Sequence, residues 1–281
     1  MIDWLKKFGR KGHFARLDTA GLPEFAPGSV WLVGAGPGAP GLLSLLAYHA
    51  LGQADVIVHD ALISPEILAL ARPEAERVPA GKRGGQPSSQ QKDITLKIIE
   101  LAWEGKRVLR LKGGDPYLFG RGGEEALALE TSGIPFRVVP GISAGLGGLA
   151  YAGIPATHRE TNHAVLFLTG HDGSGSVPGG IDWAAIARCA PVLVLFMAVR
   201  HLPSIAEKLL AGGRDPSDRV AVVSNATLPH QTVIECRLDE VEALCERTAI
   251  PTPAVIVVGP VSQFREQLDW YKPVLRESGF G

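Results

Sequence analysis

The first half of the chain alternates short apolar runs with segments of helical periodicity. The apolar runs have the length and the branched side chains that are typical of buried strands. They are SVWLVGAG, ADVIVHD, RVLRLKGG and PFRVVPG. We expect helices that begin at Pro40 and at a capping box of Ser88 and Gln91, and a third that closes on Gly133. This alternation predicts a mostly parallel sheet that is covered on both faces.

The same pattern restarts after residues 151–163, a polar segment with neither a helical nor a strand period. Strands are expected in HAVLFLTGH, VLVLFMA, RVAVVSNA, TVIECRL and PAVIVVG, and helices in HLPSIAEKLLAGG and LDEVEALCER. We therefore predict an α/β protein with an N-terminal extension over residues 1–27, an N-terminal α/β domain over 28–155 and a C-terminal α/β domain over 156–281. Since ligands bind outside the carboxyl ends of such strands, the turns of both domains are expected to form one active-site cleft.

Composition and charge exclude several classes of protein. With a formal net charge of −1, the chain lacks the basic excess of a general nucleic-acid binder. No apolar run is long enough for a membrane helix, and the N-terminus lacks the continuous apolar stretch of a secretory signal. The three cysteines form no CxxC pair, which fits a reducing cytoplasm. The spacing of His158, His163 and His171 fits no common metal site, so we expect no metal.

A glycine-rich turn, VGAGPGA, follows the first predicted strand and matches the GxGxx[GA] pattern. Asp60 ends the next strand, as the acidic residue of a dinucleotide fingerprint does. However, Pro37 removes a backbone donor near the place of a pyrophosphate, and Pro40 displaces the start of the helix. A nicotinamide or flavin enzyme and a turn without any ligand are therefore alternatives for this segment.

The stretch GGDPYLFGRGGEE, residues 113–125, combines glycine pairs with charged side chains. The glycines allow a ligand to approach the backbone closely. Asp115 is placed to accept hydrogen bonds from an amine or a ribose hydroxyl, or to form an Asx turn. Glu124 and Glu125 favour the first turn of a helix, and Arg121 beside them is able to pair with one of them.

The order of these motifs resembles that of the uroporphyrinogen-III C-methyltransferases. VGAGPG, GKRGG, RLKGGDP, FGRGGEE, VPGISAG, YAGIP, THR, LTGH and PAVIVVG carry the resemblance, which covers roughly residues 28–268. It implies a tetrapyrrole-methylase fold, in which two α/β domains enclose S-adenosylmethionine, in a homodimer that uses no metal. No dehydrogenase or chelatase domain precedes the motifs, so the single-function form is expected rather than a fused sirohaem synthase.

The resemblance also implies the roles of individual residues. Those expected to contact S-adenosylmethionine are Pro37, Gly113, Gly114, Asp115, Leu118, Ser143, Ala144, Met197 and Ala226. Those expected to bind the substrate are Lys82, Arg83, Arg159 and His171. Arg121 and Glu124 are the catalytic candidates, and Lys112 is a further cation near the cleft turns. Two positions depart from the family pattern, because Ala39 replaces a common Asp and Ala61 replaces a common Arg.

The expected activity is methylation of uroporphyrinogen III at C2 and C7, which gives precorrin-2 by way of precorrin-1 in cobalamin- or sirohaem-type biosynthesis. Arginines suit this substrate, since their planar guanidinium binds carboxylates bidentately. A free arginine is too weak a base at neutral pH to remove the proton itself. Three alternatives stay open: a later corrin-ring methyltransferase, an RNA methyltransferase, and a module that binds S-adenosylmethionine without turnover.

Overall fold

The computed structural model describes residues 21–80, 91–172 and 175–271. Its strands are β1 (Val30–Gly34), β2 (Val56–Asp60), β3 (Glu76–Ala80), β4 (Val108–Lys112), β5 (Phe136–Val139), β6 (Val165–Thr169), β7 (Val192–Phe196), β8 (Arg219–Ser224), β9 (Thr232–Arg237) and β10 (Ala254–Val258). Its α-helices are α1 (Leu45–Gln53), α2 (Pro65–Leu68), α3 (Gln91–Trp103), α4 (Gly122–Thr131), α5 (Ala144–Tyr151), α6 (Trp183–Cys189), α7 (Leu202–Ala211), α8 (Val241–Arg247) and α9 (Arg265–Leu268). Short 3-10 turns lie at Pro40–Leu42, Val199–His201, Leu238–Glu240 and Pro260–Phe264.

The first sheet contains five parallel strands in the order β3-β2-β4-β1-β5. β1 pairs with β4 on one side and β5 on the other, and each of its residues is buried. Separate apolar clusters cover the two faces of this sheet. The predicted parallel sheet, covered on both faces, is therefore confirmed.

One strand of the first sheet, β3, is not predicted by the hydrophobic pattern. Its sequence, ERVPA, contains two charged residues and a proline, and only its last residue is fully buried. β3 forms the edge of the sheet. An edge strand tolerates proline and polar residues because one of its sides has no partner strand.

The second sheet has the order β6-β7-β10-β8-β9 and mixes both strand directions. β6 and β7 are parallel, whereas β10 is antiparallel to its neighbours β7 and β8, and β9 is antiparallel to β8. β7 and β8 therefore run in the same direction, and their carboxyl ends meet at one edge beside the amino end of β10. α5 follows the first sheet in sequence but packs on the second, where Leu149 joins Val194 and Val223 in the apolar core. The domain limits stay a prediction.

The start of α1 differs from the sequence expectation. Pro40 begins a 3-10 turn, and the α-helix begins at Leu45. The prediction that Pro40 starts the helix was wrong, because Ala39 before it offers no side-chain cap. Ser44 offers one, and its hydroxyl accepts a hydrogen bond from the amide of Ala47.

Other helix boundaries follow their local signals. Gly133, with a φ of 67°, comes just after the end of α4 as predicted. α3 begins at Gln91, while Ser88 of the predicted capping box lies outside the described residues. The pattern does not predict α5, whose glycines interrupt the apolar period. These glycines have a packing role, because a Cβ on Gly145 would lie 2.6 Å from the ring of Phe196.

Candidate functional site

One cavity lies between the carboxyl ends of the first sheet's strands and the edge of the second sheet where β7 and β8 end and β10 begins. Its volume is about 380 Å³, which is within the range of small-molecule sites. Loops that follow β1, β4 and β5 of the first sheet and β7 and β8 of the second line its wall. The nine residues predicted to contact the cofactor all lie in this wall: Pro37, Gly113, Gly114, Asp115, Leu118, Ser143, Ala144, Met197 and Ala226. The structure therefore brings these residues together, and their roles stay predictions.

Glycines allow the turns of the first sheet to meet at the edge that borders the cavity. A Cβ on Gly34 would lie 2.5 Å from the carbonyl oxygen of Gly114 and 2.5 Å from the amide nitrogen of Gly141. Gly36 and Gly114 pair through two backbone hydrogen bonds, of 3.2 and 2.8 Å. Larger residues would separate these turns, which explains the glycine-rich strand ends of the sequence.

The dinucleotide alternative disagrees with this geometry. The amides of Gly36 and Ala39 already donate hydrogen bonds of 3.2 and 3.0 Å to other loops around the cavity, and Pro37 has no amide hydrogen. The helix N-terminus lies further along the chain, at Leu45. Because a pyrophosphate requires free amides at a helix N-terminus, this turn does not act as a dinucleotide fingerprint.

Backbone strain is concentrated around the cavity. Among the described residues, those other than glycine with a positive φ are Phe119, Arg121, Met197, Asn225 and Thr227. The first four line the cavity, and Thr227 follows the lining residue Ala226. Each such conformation costs about 1–3 kcal/mol and persists only where its surroundings enforce it. The concentration of strain marks this region, independently of any motif, as the functional site.

The Asp115 carboxylate connects two of the loops in the cavity wall. Its Oδ1 accepts a hydrogen bond from the amide of Tyr117 at 2.8 Å, and its Oδ2 accepts one from the amide of Gly141 at 3.1 Å. The contact with Tyr117 is the Asx turn that the sequence allows. Each carboxylate oxygen has a further lone pair, so Asp115 also retains the capacity to bind a ligand.

Arg121 and Glu124 form an exposed ion pair at the start of α4. Arg121 Nε lies 3.0 Å from Glu124 Oε1, and Nη2 lies 2.6 Å from Oε2. Their side chains are 54% and 59% exposed, and Arg121 lines the cavity whereas Glu124 does not. The bidentate hydrogen bond lowers the pKa of Glu124 and raises the pKa of Arg121. The pair holds a charged guanidinium at the cavity where an anionic ligand can reach it.

A second charged cluster is buried in the cavity wall, where Asp60, Arg110 and Lys112 are lining residues, and sequence analysis does not predict it. Glu125 Oε1 accepts from Arg110 Nε and Oε2 from Lys112 Nζ, both at 3.0 Å, and all three side chains are at most 2% exposed. Arg110 also pairs with Asp60 at 2.5 Å, and Gln91 donates to Glu125 at 2.7 Å. Burial, followed by repulsion from Arg110, lowers the pKa of Lys112. Lys112 is therefore engaged by Glu125 rather than held as an unpaired cation.

Loops of the second sheet complete the cavity. Met197, which follows β7, has a φ of 53° and is 44% exposed. A methionine at the end of an apolar strand would by itself be predicted as a core residue, and the structure places it in the cavity wall instead. Phe119, in the loop after β4, packs against Phe196, the last residue of β7, with ring centroids 5.3 Å apart, so the two halves of the cavity wall meet here.

Two of the four residues predicted to bind substrate lie outside this wall. Arg159 and His171 lie on loops outside the cavity lining, and His171 Nδ1 is 2.9 Å from the backbone oxygen of Asp172. Lys82 and Arg83 fall outside the described residues. All four roles stay predictions.

Residues 21–80, 91–172 and 175–271 contain neither a candidate membrane span nor a candidate metal site. No helix there is both long and apolar enough to cross a membrane. In the same ranges, no three or more His, Cys, Asp or Glu side chains are grouped to hold a metal ion.

Residues 29–242 match the sequence profile of the Tetrapyrrole (Corrin/Porphyrin) Methylases. The chain belongs to the tetrapyrrole methylase family. Among the relatives of this tetrapyrrole methylase, the uroporphyrinogen-III C-methyltransferase of Sinorhizobium sp. is 60% identical over 251 residues, which cover 89% of this chain and 90% of that protein. The siroheme synthase of Zymomonas mobilis is 45% identical over 87% of this chain, but the chain spans only 51% of its length.

Solved structures confirm the predicted fold. The tetrapyrrole methylase superimposes on the uroporphyrin-III C-methyltransferase of Thermus thermophilus complexed with S-adenosyl homocysteine, with a TM-score of 0.74 and 39% identity. That match covers 84% of this chain and 99% of the other. Cobalt precorrin-4 methyltransferase has a TM-score of 0.73 at 24% identity over 85% of this chain and 98% of the other, which shows a shared fold alone.

Proposed function

We propose that this tetrapyrrole methylase transfers methyl groups from S-adenosylmethionine to C2 and C7 of uroporphyrinogen III, giving precorrin-2 by way of precorrin-1. The observation that carries the proposal is that all nine predicted cofactor residues line the same cavity. The 60% identity to the Sinorhizobium methyltransferase supports the choice of substrate. The proposal includes a cytoplasmic homodimer, a reaction without a metal, and a product used in cobalamin- or sirohaem-type biosynthesis.

The residues of the cavity fit a nucleoside that carries an amino-acid group. Leu118, Met197 and Ala226 supply apolar walls, and Asp115 supplies a carboxylate for an amine or a ribose hydroxyl. A Cβ on Gly113 would meet nothing within 4 Å, so its backbone borders open space. The Thermus relative was solved with S-adenosyl homocysteine, the product of such a donor. When bound, S-adenosylmethionine supplies an electrophilic methyl group on a sulfonium.

The charged rim of the cavity fits the acceptor. Uroporphyrinogen III carries carboxylates around its ring, and its pyrrole carbons are nucleophiles, so the chain must mainly bind and orient it. Arg121 is held by Glu124 and retains exposed guanidinium surface for a carboxylate. Asp60, whose side chain is 32% exposed, lines the cavity and is held by Arg110, so it is placed to accept a pyrrole N–H.

Filling the cavity tests the donor site. Gly113→Val adds a side chain to a residue of the cavity wall, where a Cβ meets no other atom within 4 Å, and calorimetric titration with S-adenosylhomocysteine is expected to show at least tenfold weaker binding. Gly52→Val, at an exposed position of α1, is the matched control, because a Cβ there also meets nothing within 4 Å and Gly52 does not line the cavity. Equal affinity of both variants and the wild type would contradict the proposed site.

Transfer of label tests the reaction class. The wild type is incubated without oxygen with uroporphyrinogen III and S-adenosylmethionine labelled in its methyl group. We expect label to appear in the tetrapyrrole, and much less of it with Gly113→Val. Label that stays on the donor despite tight binding would instead identify a binding module without turnover. Label that enters RNA but not the tetrapyrrole would move the function to another substrate class.

A further inference from the structure

Thr227, in the loop after β8, combines burial with an unfavourable backbone conformation. It is 2% exposed and has a φ of 68°. Threonine is β-branched, and a positive φ is a clear outlier for such residues, whereas glycine or asparagine adopts it at lower cost. Such a conformation persists only where the surroundings enforce it, so the contacts of Thr227 indicate what it does.

Three hydrogen bonds converge on Thr227. Its hydroxyl Oγ1 accepts from the amide of Ala39 at 3.0 Å, which joins positions 188 residues apart. Its own amide donates to Gln231 Oε1 at 2.7 Å, and its carbonyl oxygen accepts from the Tyr271 hydroxyl at 3.0 Å. The amide and carbonyl bonds hold the strained backbone in place, and the hydroxyl connects it to the first sheet.

The hydrogen bond between Thr227 and Ala39 joins two neighbouring loops of the cavity wall. Pro37 and Gly38 lie in one loop, and Ala226 and Leu228 lie in the other, and all four line the cavity. The loops also touch, because a Cβ on Gly38 would lie 3.0 Å from Leu228 Cδ2. A ligand that fills the cavity therefore contacts both loops, and their separation sets how well it is held.

The other partners of Thr227 anchor it to the second sheet and to the end of the described chain. Gln231 Nε2 donates to the backbone oxygen of Tyr151 at the end of α5, at 3.0 Å. The ring of Tyr271 packs edge-on against the ring of Tyr151, with centroids 4.7 Å apart. Thr227 is thus fixed on one side and reaches across to the Ala39 loop with its hydroxyl.

We propose that Thr227 is a positioning residue for the methyl-donor site, whose hydroxyl fixes the distance between the 36–39 loop and the 225–228 loop. The inference rests on the proposed function, since it assigns this effect to S-adenosylmethionine. Thr227 acts through Ala39 and the neighbouring lining residues.

A set of matched substitutions tests the hydroxyl alone. Thr227→Val keeps the β-branched shape and the strain but removes the hydroxyl, and Thr227→Ser keeps the hydroxyl. Thr131→Val makes the same change at an exposed position of α4, where the hydroxyl bonds only within its own helix to Leu127. Calorimetry with S-adenosylhomocysteine is expected to show roughly three- to tenfold weaker binding for Thr227→Val, the usual effect of one hydrogen bond. Thr227→Ser and Thr131→Val are expected to bind within about twofold of the wild type.

Kinetics and hydrogen exchange separate positioning from general stability. For Thr227→Val we expect the KM for S-adenosylmethionine to rise by the same factor as the dissociation constant, with kcat changing less. Exchange at the Ala39 amide is expected to be faster in Thr227→Val and unchanged in Thr227→Ser. Tyr271→Phe, which frees the Thr227 carbonyl but keeps the side chain, is expected to weaken binding in the same direction and by less.

The affinities of the Thr227 variants and the exchange at the Ala39 amide decide whether the Thr227 hydroxyl positions the two loops. Wild-type affinity in Thr227→Val, or equal losses in Thr227→Val and Thr227→Ser, would overturn the role of the hydroxyl. Unchanged exchange at Ala39 would show that the hydrogen bond does not hold the loop. A wild type that does not bind S-adenosylhomocysteine contradicts the proposed function instead, and the exchange at Ala39 then decides whether the bond between the loops exists.

Discussion

Glu124 and Glu125 are adjacent in the first turn of α4, yet they occupy opposite environments. The Glu124 side chain is 59% exposed and has Arg121 as its partner. The Glu125 side chain is 1% exposed and lies between two buried cations, Arg110 and Lys112. One turn of helix thus contributes to an accessible ion pair at the cavity and to a buried charge cluster in the cavity wall.

The energies of the two clusters differ for a physical reason. Exposed ion pairs contribute about 0–1 kcal/mol, since water and side-chain entropy offset the attraction. Arg121 can therefore turn to a substrate carboxylate at little cost. Removing one partner of a buried pair costs about 3–5 kcal/mol, because a charge is left without water or a counter-ion. We therefore propose that the exposed pair binds substrate and that the buried cluster fixes the cavity wall around it.

Loss of the buried carboxylate should have the largest effect. Glu125→Gln keeps the shape but leaves Arg110 and Lys112 without their shared anion, and we expect a loss of about 3–5 kcal/mol in the free energy of unfolding. Urea denaturation measures it, with Glu124→Gln as the control that should lose less than about 1 kcal/mol. Similar losses in the two variants would remove the distinction between the clusters.

Lys112→Met removes one of the two buried cations and leaves Glu125 paired with Arg110. We expect a loss of about 1.5–3 kcal/mol at neutral pH, the range for hydrogen bonds to charged groups. The control is Lys97→Met, whose lysine pairs with Glu100 at 3.9 Å on the surface, and we expect it to lose less than about 1 kcal/mol.

The same variant has a defined pH dependence. Burial lowers the pKa of Lys112 in the native state below the ordinary 10.5. At pH values between the native-state pKa and 10.5, the unfolded chain therefore binds more protons than the native state. Stability from this group therefore rises with pH in that interval. The difference in unfolding free energy between the wild type and Lys112→Met should widen as the pH approaches 10.5. A difference that narrows over this range would contradict the assignment.

The exposed pair should affect turnover more than stability. Arg121→Lys keeps the charge but loses the bidentate geometry, and we expect kcat/KM for uroporphyrinogen III to fall at least tenfold, about 1.4 kcal/mol in transition-state stabilisation. Arg237→Lys is the control, since Arg237 forms a comparable exposed pair with Asp239 at 2.7 Å away from the cavity. Near-normal turnover in both Arg121→Lys and Glu124→Gln would show that the pair has no part in the reaction.

The smallest expected effect is the contribution of Glu124 to stability. Its hydrogen bond to Arg121 lowers its pKa from 4.5, so the contribution is present above about that pH and is lost as the pH falls through the folded-state pKa. The difference between the wild type and Glu124→Gln should be below about 1 kcal/mol at pH 7 and vanish in acid. Thermal unfolding at several pH values checks this, and a difference that grows in acid would disagree.

Much of the fold follows from local sequence signals. The apolar runs of β1, β2, β4 and β5 predict the parallel sheet, and the glycine-rich turns at their ends locate the cavity. β3 and α5 are not predicted, because an edge strand needs little apolar surface and the glycines of α5 serve its packing. Those features depend on neighbours that are distant in sequence.

The site is only partly visible in the sequence. Judged by the apolar strand before it, Met197 resembles a core residue; only the family resemblance predicts it at the cofactor site, and the structure places it in the cavity wall. The sequence does contain a signal for the buried cluster. Arg110 and Lys112 share one face of the otherwise apolar strand β4. Two cations buried there require a buried carboxylate as their partner. The sequence does not show whether Glu124 or Glu125 supplies this carboxylate, because the choice depends on the direction in which each side chain leaves α4.

The most direct test of the proposed function is the number of methyl groups that the tetrapyrrole gains. Mass spectrometry after anaerobic incubation of the wild type with uroporphyrinogen III and S-adenosylmethionine should show a gain of two methyl groups, with one methyl as an intermediate at early times. A product that stops at one methyl would contradict transfer to both C2 and C7. A tetrapyrrole that gains none, although S-adenosylhomocysteine binds, would contradict uroporphyrinogen III as the substrate.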